Sequence, residues 1–371
     1  MIRYEILYLE LLKSALWGSP TEADSFVDLP PEIWEQIYSL ASDQRTSAFI
    51  SPAILALPQA CQPPLSFLLK LSLHTEKVEA ANRRLNDTLA HISEEYKSID
   101  TPFVLLKGQG VALNYSHPLH RTPGDLDLFF YRKGDYERAK KWVIEKGYPQ
   151  EPESMKHLGF NIGKVHIENH RKMASFDSNR YNKYFQAEVS RLIDLDGWET
   201  ALIGNTEVKL LPPTFNAAYI FSHLFHHFKH AGVSTRQLSD WLLLLFRYQD
   251  VIDKKSLYRL FDELDLLQPA SLFAAATVRY LGASPDLFPF PLSSDTQLID
   301  KVMVDVLRGG NFGQHRPGKR RPSGVWSGRW HSFTRNIVRT ITMAPIAPSH
   351  ILVMPFLKLY NRIKITLRGS V

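Results

Sequence analysis

The chain has 371 residues, of which 44% are apolar, and its 44 Lys+Arg against 38 Asp+Glu leave a net charge of +6. This length and apolar share exclude a disordered chain and accommodate about two or three domains with a real core. The charge excess fits phosphate-bearing substrates or an anionic membrane surface but is too small to argue for nucleic acid, and the single Cys61 excludes an internal disulfide framework and a multi-cysteine zinc site.

The first residues, MIRYEILYLELLKSALWG, predict an amphipathic helix over 1–17, with Ile6, Leu9 and Leu16 among its apolar positions and Gly18-Ser19-Pro20 as its stop. Glu5, Glu10 and Lys13 interrupt the stretch and no small-residue cleavage site follows, so no cleavable leader is expected. No run reaches the ~18 to 20 uninterrupted apolar residues of a spanning helix, and a cytoplasmic protein, soluble or peripheral, is the expectation. A second helix begins at Pro30-Pro31 and carries Trp34, Ile37 and Leu40. A long third runs from Leu65 to Lys97, with Leu85, Leu89, Ile92 and Tyr96 recurring at helical spacing. Residues 1–98 therefore read as an N-terminal helical region that frames a pocket without supplying chemistry.

Residues 99–213 alternate strands with helices, the pattern of an α/β domain. Phe103 to Leu106 form a short apolar run suited to a buried strand, ended by a turn at Lys107-Gly108. A helix with Val111, Leu113 and Tyr115 inward follows, and Pro118 to Pro123 leads to a second strand. There Leu126, Leu128 and Phe130 alternate with Asp125, Asp127 and Phe129, so the two aspartates share one face. Carboxylates at i and i+2 can share a hard divalent cation such as Mg²⁺, whose shell a substrate's phosphates complete. A solvent-facing edge strand is the plainer alternative. Gly134 to Gly147 predicts a helix with Tyr136, Ala139, Trp142 and Val143 inward. Val165 to His170 predicts a strand with His166, Glu168 and His170 on one face; an oxygen-rich Mg²⁺ site beside the aspartates suits this face better than zinc. Residues 171–200 read as a solvated loop, with Arg171, Lys172 and Arg180 near phosphates as the alternative. Val208 to Leu211 reads as a last strand before Pro212-Pro213.

Residues 214–308 read as a helical domain. Phe215 to Ala231 is a helix on which His223, His226, His227 and His230 form one stripe. No carboxylate or cysteine stands among them, so one or two are expected to line a substrate pocket and none to hold structural zinc. Ser234 or Thr235 can cap the next helix, whose apolar face is Leu238, Trp241, Leu242, Leu245 and Phe246. Arg236 and Asp240 stand at i and i+4, either as an intrahelical pair or with Arg236 reaching an anion from the helix start. Residues 255–308 continue as helices around a proline-rich loop at 285–291. Residues 309–330 read as a basic glycine-rich linker, and 331–371 as a basic amphipathic segment that lies on an anionic membrane surface or docks against the body.

Leu105-Leu106-Lys107-Gly108, Tyr115, Arg121 and Gly124-Asp125-Leu126-Asp127-Leu128 resemble the nucleotidyltransferases of the DNA polymerase β superfamily, and within it the bacterial "uncharacterised nucleotidyltransferase" group. The likeness continues through the His-Glu-His strand and through the His-rich helix followed by Gly232 and Arg236-Gln237-Leu238-Ser239-Asp240. It implies an α/β (α+β) fold, a nucleotidyltransferase-type mixed sheet flanked by helices, with N-terminal and C-terminal helical regions. It implies Mg²⁺, with Mn²⁺ as alternative, held by Asp125, Asp127 and Glu168 as the catalytic set. Nucleotide and phosphate contacts then fall to Lys107, Gly108, Gln109, Arg121 and Arg236, and the substrate pocket to His166, His170, His223, His227 and Asp240. The implied reaction moves a nucleoside monophosphate from a nucleoside triphosphate to a hydroxyl of a small molecule or glycan, releasing pyrophosphate. The rivals are transfer to a protein or tRNA, and a non-catalytic nucleotide-binding or assembly protein. The superfamily's Gly-Ser or Gly-Gly turn stands here as Gly108-Gln109.

Overall fold

A computed structural model describes residues 1–310 and 338–351 of the chain. Most of the expected linker (311–330) and of the terminal segment (331–337 and 352–371) lies outside the described residues. At the centre is a six-stranded mixed sheet in the order β3-β4-β2-β1-β6-β5, built from β1 (Val104–Leu105), β2 (Leu126–Phe129), β3 (His157–Ile162), β4 (Val165–His170), β5 (Glu199–Ile203) and β6 (Thr206–Leu210). Strands β2 and β4 are parallel, as are β1 and β6, while β1 with β2 and the hairpins β3–β4 and β5–β6 are antiparallel. The β3–β4 hairpin closes through Gly163-Lys164, where Gly163 holds φ +58°, a conformation that a side chain resists.

Alternation in β2 divides two apolar cores. On one face Leu126, Leu128 and Ile167 pack with Leu85, Leu89, Ile92 and Tyr96 of helix α4 (Leu65–Ser98) and with Tyr136, Trp142 and Val143 of α6 (Asp135–Glu145). On the other face Val104 and Phe129 join a larger core. That core is made by α1 (Arg3–Trp17), α2 (Pro31–Asp43), α3 (Ser47–Leu55), α8 (Pro213–His230), α9 (Thr235–Arg247), α10 (Lys254–Glu263), α11 (Leu267–Leu281) and α12 (Thr296–Gly309). At 1.5 Å per residue α4 is about 50 Å long. Its first turns bury Phe67 and Leu71 in the larger core and its last turns cover the sheet, so one helix binds the helical layers to the strands. Among the described residues no helix is long and apolar enough to cross a membrane.

The expected helices at the N-terminus stand, with Gly18 in the left-handed conformation after α1 and Pro31 at the first turn of α2. Ile6 is exposed rather than inward, and Phe246 is exposed and stacks edge-on to Trp17 at 5.5 Å. The helix after Gly108 is a single turn, α5 (Gln109–Ala112). The solvated loop expected over 171–200 is instead helix α7 (Asn179–Asp194), capped by the Ser178 hydroxyl. Only Phe185 and Val189 are buried in it, Phe185 against the rings of Phe215 and Tyr219, so its polar surface hid a narrow apolar stripe.

Helix α4 is tied to the sheet by Asn169 of β4, whose Nδ2 donates to Tyr96 Oη over 2.7 Å in a fully buried setting. Tyr96→Phe leaves that amide without its acceptor and is expected to cost about 1–3 kcal/mol, read as a lower urea midpoint with unchanged slope.

Candidate functional site

The turn after β1 sets the geometry. Gly108 sits at φ +59°, and a Cβ there would stand 3.0 Å from the carbonyl oxygen of Asp125, so the turn packs directly on the backbone that introduces β2. Lys107, one residue earlier, places Nζ 3.2 Å from Asp127 Oδ1. In the parallel β2–β4 pair Asp127 lies opposite Glu168. His170 Nε2 stands 2.9 Å from Asp127 Oδ1 and 3.0 Å from Glu168 Oε2, so both carboxylates project from the same face. His157, directly across the hairpin from His170, brings Nδ1 to 3.4 Å from Glu168 Oε2, and His166 Nε2 is 3.8 Å from Glu168 Oε1.

Beside this acidic face lies a cavity of about 270 Å³ lined by the cations Arg45, Lys107, Arg121 and Arg236, the carboxylates Asp125, Asp127 and Asp240, and His223 of α8. Arg121 is buried and makes a two-pronged contact with Asp240, Nε to Oδ1 at 2.7 Å and Nη2 to Oδ2 at 2.9 Å. Tyr115 donates to the same Asp240 Oδ1 over 2.7 Å. Asn82 of α4 donates to the carbonyls of Leu119 and Arg121 at 2.7 and 2.9 Å, which holds the segment that carries the arginine. Arg236 therefore does not pair with Asp240 within α9. Its Nη1 donates to the Thr122 carbonyl at 3.1 Å and its Nε has no hydrogen-bond partner among the described residues.

Residues 30–282 match the family model described as Uncharacterised nucleotidyltransferase. The chain belongs to this family. Among solved structures, an antigenic nucleotidyltransferase-like protein from Paracoccidioides brasiliensis is similar over 54% of this chain and 93% of its own, at 12% identity and a TM-score of 0.33, too distant a likeness to bear on the site. No curated protein matches.

In this family member the charges of the acidic face act on one another. Burial, and then the charge of Asp127, push the Asp125 carboxyl above the ordinary range. Burial also works against Asp127 and Glu168, but Lys107 and the His170 hydrogen bond hold Asp127 well below that range, and His170 holds Glu168 down too. Burial pulls His170 down while the hydrogen bonds to Asp127 and Glu168 raise it, and the carboxylates win. Burial and then the neighbouring imidazoles depress His226 and His227 to about 3, so those members of the stripe are neutral.

Of the residues anticipated from sequence, Lys107, Gly108, Arg121, Asp125, Asp127, His223, Arg236 and Asp240 line the one cavity, with Glu168, His166 and His170 grouped around Asp127 beside it. Gln109 departs from the expectation: its amide turns away from the cavity and donates to Asn86 Oδ1 on α4 over 2.6 Å, because α5 packs on that helix. His227 does not line the cavity; its Nε2 faces His223 Nε2 at 3.1 Å. Among ionisable side chains, His157 beside the acidic face and Arg45 at the cavity were not anticipated. His157 was findable, since the Gly163-Lys164 turn sets the register that opposes it to His170. Arg45 left no local signal; it reaches the cavity because its carbonyl accepts the Thr122 hydroxyl at 2.7 Å, across the whole N-terminal region.

Two outcomes follow from this geometry. Gly108→Ala must hold a positive φ and crowd a carbonyl, and is expected to cost about 1–3 kcal/mol in thermal melting. Burial raises and Arg121 lowers the Asp240 carboxyl, with the net value depressed. Its stabilisation is thus complete above the ordinary carboxylate value of about 3.9 and is lost as pH falls through the depressed folded value. Asp240→Asn should therefore melt lower than wild type at pH 7 and lose less on acidification below about pH 4, measured as Tm against pH.

Proposed function

We propose that the protein transfers a nucleoside monophosphate from a nucleoside triphosphate to a hydroxyl-bearing small molecule or glycan, with release of pyrophosphate. The observation that carries this reading is the strand register that sets Asp127 opposite Glu168, next to Asp125 and a cavity edged by four cationic side chains. Asp125 and Asp127 offer only hard oxygen donors at the cavity wall, which fits Mg²⁺ or Mn²⁺, and Glu168 completes the acidic set. Bound there, the metal supplies neutralisation of the triphosphate and activation of the acceptor hydroxyl.

The chain's own contribution is positioning and charge. Lys107 and Arg236 line the cavity and can donate to phosphate oxygens. Arg121 is locked by Asp240, so it presents a fixed positive charge instead of a mobile fork. Gly108 permits close backbone approach. Ile220 and Leu224 of α8 form an apolar wall that keeps water from the reacting centre. The acceptor oxygen bonds to the α-phosphorus, the bond from that phosphorus to the bridging oxygen breaks, and pyrophosphate leaves while the hydroxyl proton passes to the carboxylate set. A nucleotide-binding protein without turnover is favoured by one feature, the Gly108-Gln109 turn, which lacks the hydroxyl of a Gly-Ser turn.

Titration calorimetry with ATP, CTP, GTP and UTP in Mg²⁺ tests the reading. One of the four is expected to bind in a metal-dependent way, with affinity reduced at least about tenfold, or 1.4 kcal/mol, in Asp127→Asn and with unchanged far-ultraviolet dichroism. Equal affinity in that variant refutes the assignment.

A further inference from the structure

We propose that His157, Glu168 and His170 form a mixed nitrogen and oxygen site for a transition-metal cation of the Zn²⁺ or Co²⁺ type, adjoining the oxygen donors of Asp125 and Asp127 and meeting them at Glu168. This goes beyond nucleotidyl transfer and does not depend on it. The three side chains come from two strands of one hairpin. His157 and His170 are paired directly across it, Glu168 lies two residues from His170 on the same face, and the space over Gly159, opposite Glu168, is taken by the side chains of Glu151 and His166.

Distances favour a cation. One donor atom from each of the three residues lies within 4.8 Å of the others. Ligands held 2.0–2.1 Å from a tetrahedral Zn²⁺ stand roughly 3.3 Å apart. Here His157 Nδ1 and His170 Nε2 lie 3.4 and 3.0 Å from the same oxygen, Glu168 Oε2, and the two imidazole centroids are 5.0 Å apart.

Hydrogen bonding alone serves these atoms poorly. His170 Nε2 has at most one proton to share between Glu168 Oε2 at 3.0 Å and Asp127 Oδ1 at 2.9 Å. His157 Nδ1 is buried with no hydrogen-bond partner among the described residues. A cation at the centre satisfies both nitrogens and the carboxylate together. Two imidazoles with one carboxylate select Zn²⁺ or Co²⁺ over Mg²⁺, which prefers an all-oxygen shell and dehydrates reluctantly. The two sites meet at Glu168, with the imidazole side selecting the softer metal and the aspartate side Mg²⁺.

The test uses the full chain stripped with EDTA and returned to buffer with excess Mg²⁺ and no nucleotide. Co²⁺ is added while its visible absorption is followed, and Zn²⁺ is then used to displace it. Binding of one Co²⁺ per chain is expected, with an intense band of low-coordinate geometry that Zn²⁺ abolishes. Both His157→Ala and His157→Asn should weaken it by about 10-fold or more, with Asp125→Asn keeping it. Thermal melting of the two His157 variants serves as the folding control, and two side chains of different size guard against a single misfolded variant. No Co²⁺ band, or wild-type affinity in a folded His157 variant, overturns the site. Nucleotide binding in Mg²⁺, measured on the wild-type chain, separates the two readings: no Co²⁺ band with intact nucleotide binding defeats only this inference, and a Co²⁺ band without nucleotide binding defeats only nucleotidyl transfer.

Discussion

The constraint on which the structure turns is a parallel pair of strands that sets Asp127 against Glu168 in a largely buried place. Carboxylates removed from water must be paired or must give up their charge. Here they are paired, Asp127 by Lys107 just beyond β1 and both by His170, two residues along β4 from Glu168. That requirement accounts for the turn at Gly108, which is tight enough to bring Lys107 over β2, and for the hairpin that delivers the histidines.

A second buried charge pair performs the same service for the opposite wall. Arg121 and Asp240 belong to segments far apart in sequence, and their two-pronged contact, with Tyr115 as a further donor, clamps α9 to the strand-to-strand connection. A pair so deeply placed contributes less to net stability than its Coulomb energy suggests, because desolvation offsets most of it. Its consequence is positional. With Asp240 taken, Arg236 is turned toward the cavity, and the cationic wall acquires a fixed shape.

The helical layers act on the site at one remove. Tyr8 Oη contacts the hydroxyls of Thr46 and Thr235 at 2.7 and 2.5 Å, and Gln44 accepts from the Thr235 amide at 2.7 Å while donating to the carbonyls of Val306 and Leu307. These buried polar ties seat the start of α9, and so Arg236, against the N-terminal helices and α12. Residues that read as plain scaffold in sequence thereby fix the reach of a cavity side chain.

By itself the sequence determined the local features. The alternation of Leu126, Leu128 and Phe130 with the aspartates, the apolar run into Lys107-Gly108, and the periodicity of α4 and α8 were all legible because strand and helix periods are written in neighbouring residues. The nucleotidyltransferase family was legible for the same reason, since its motifs are short and contiguous. Helix α7 was not, because two buried positions in a polar helix make too weak a period. Nor were the partners. That Asp240 binds Arg121 and not Arg236, that Gln109 turns to Asn86, and that His157 joins Glu168 are decided by register and by packing between distant segments. Only the tertiary structure settles such choices, because a side chain pairs with what the folded backbone brings within about 3 Å, and that neighbour is not written in its own stretch of chain.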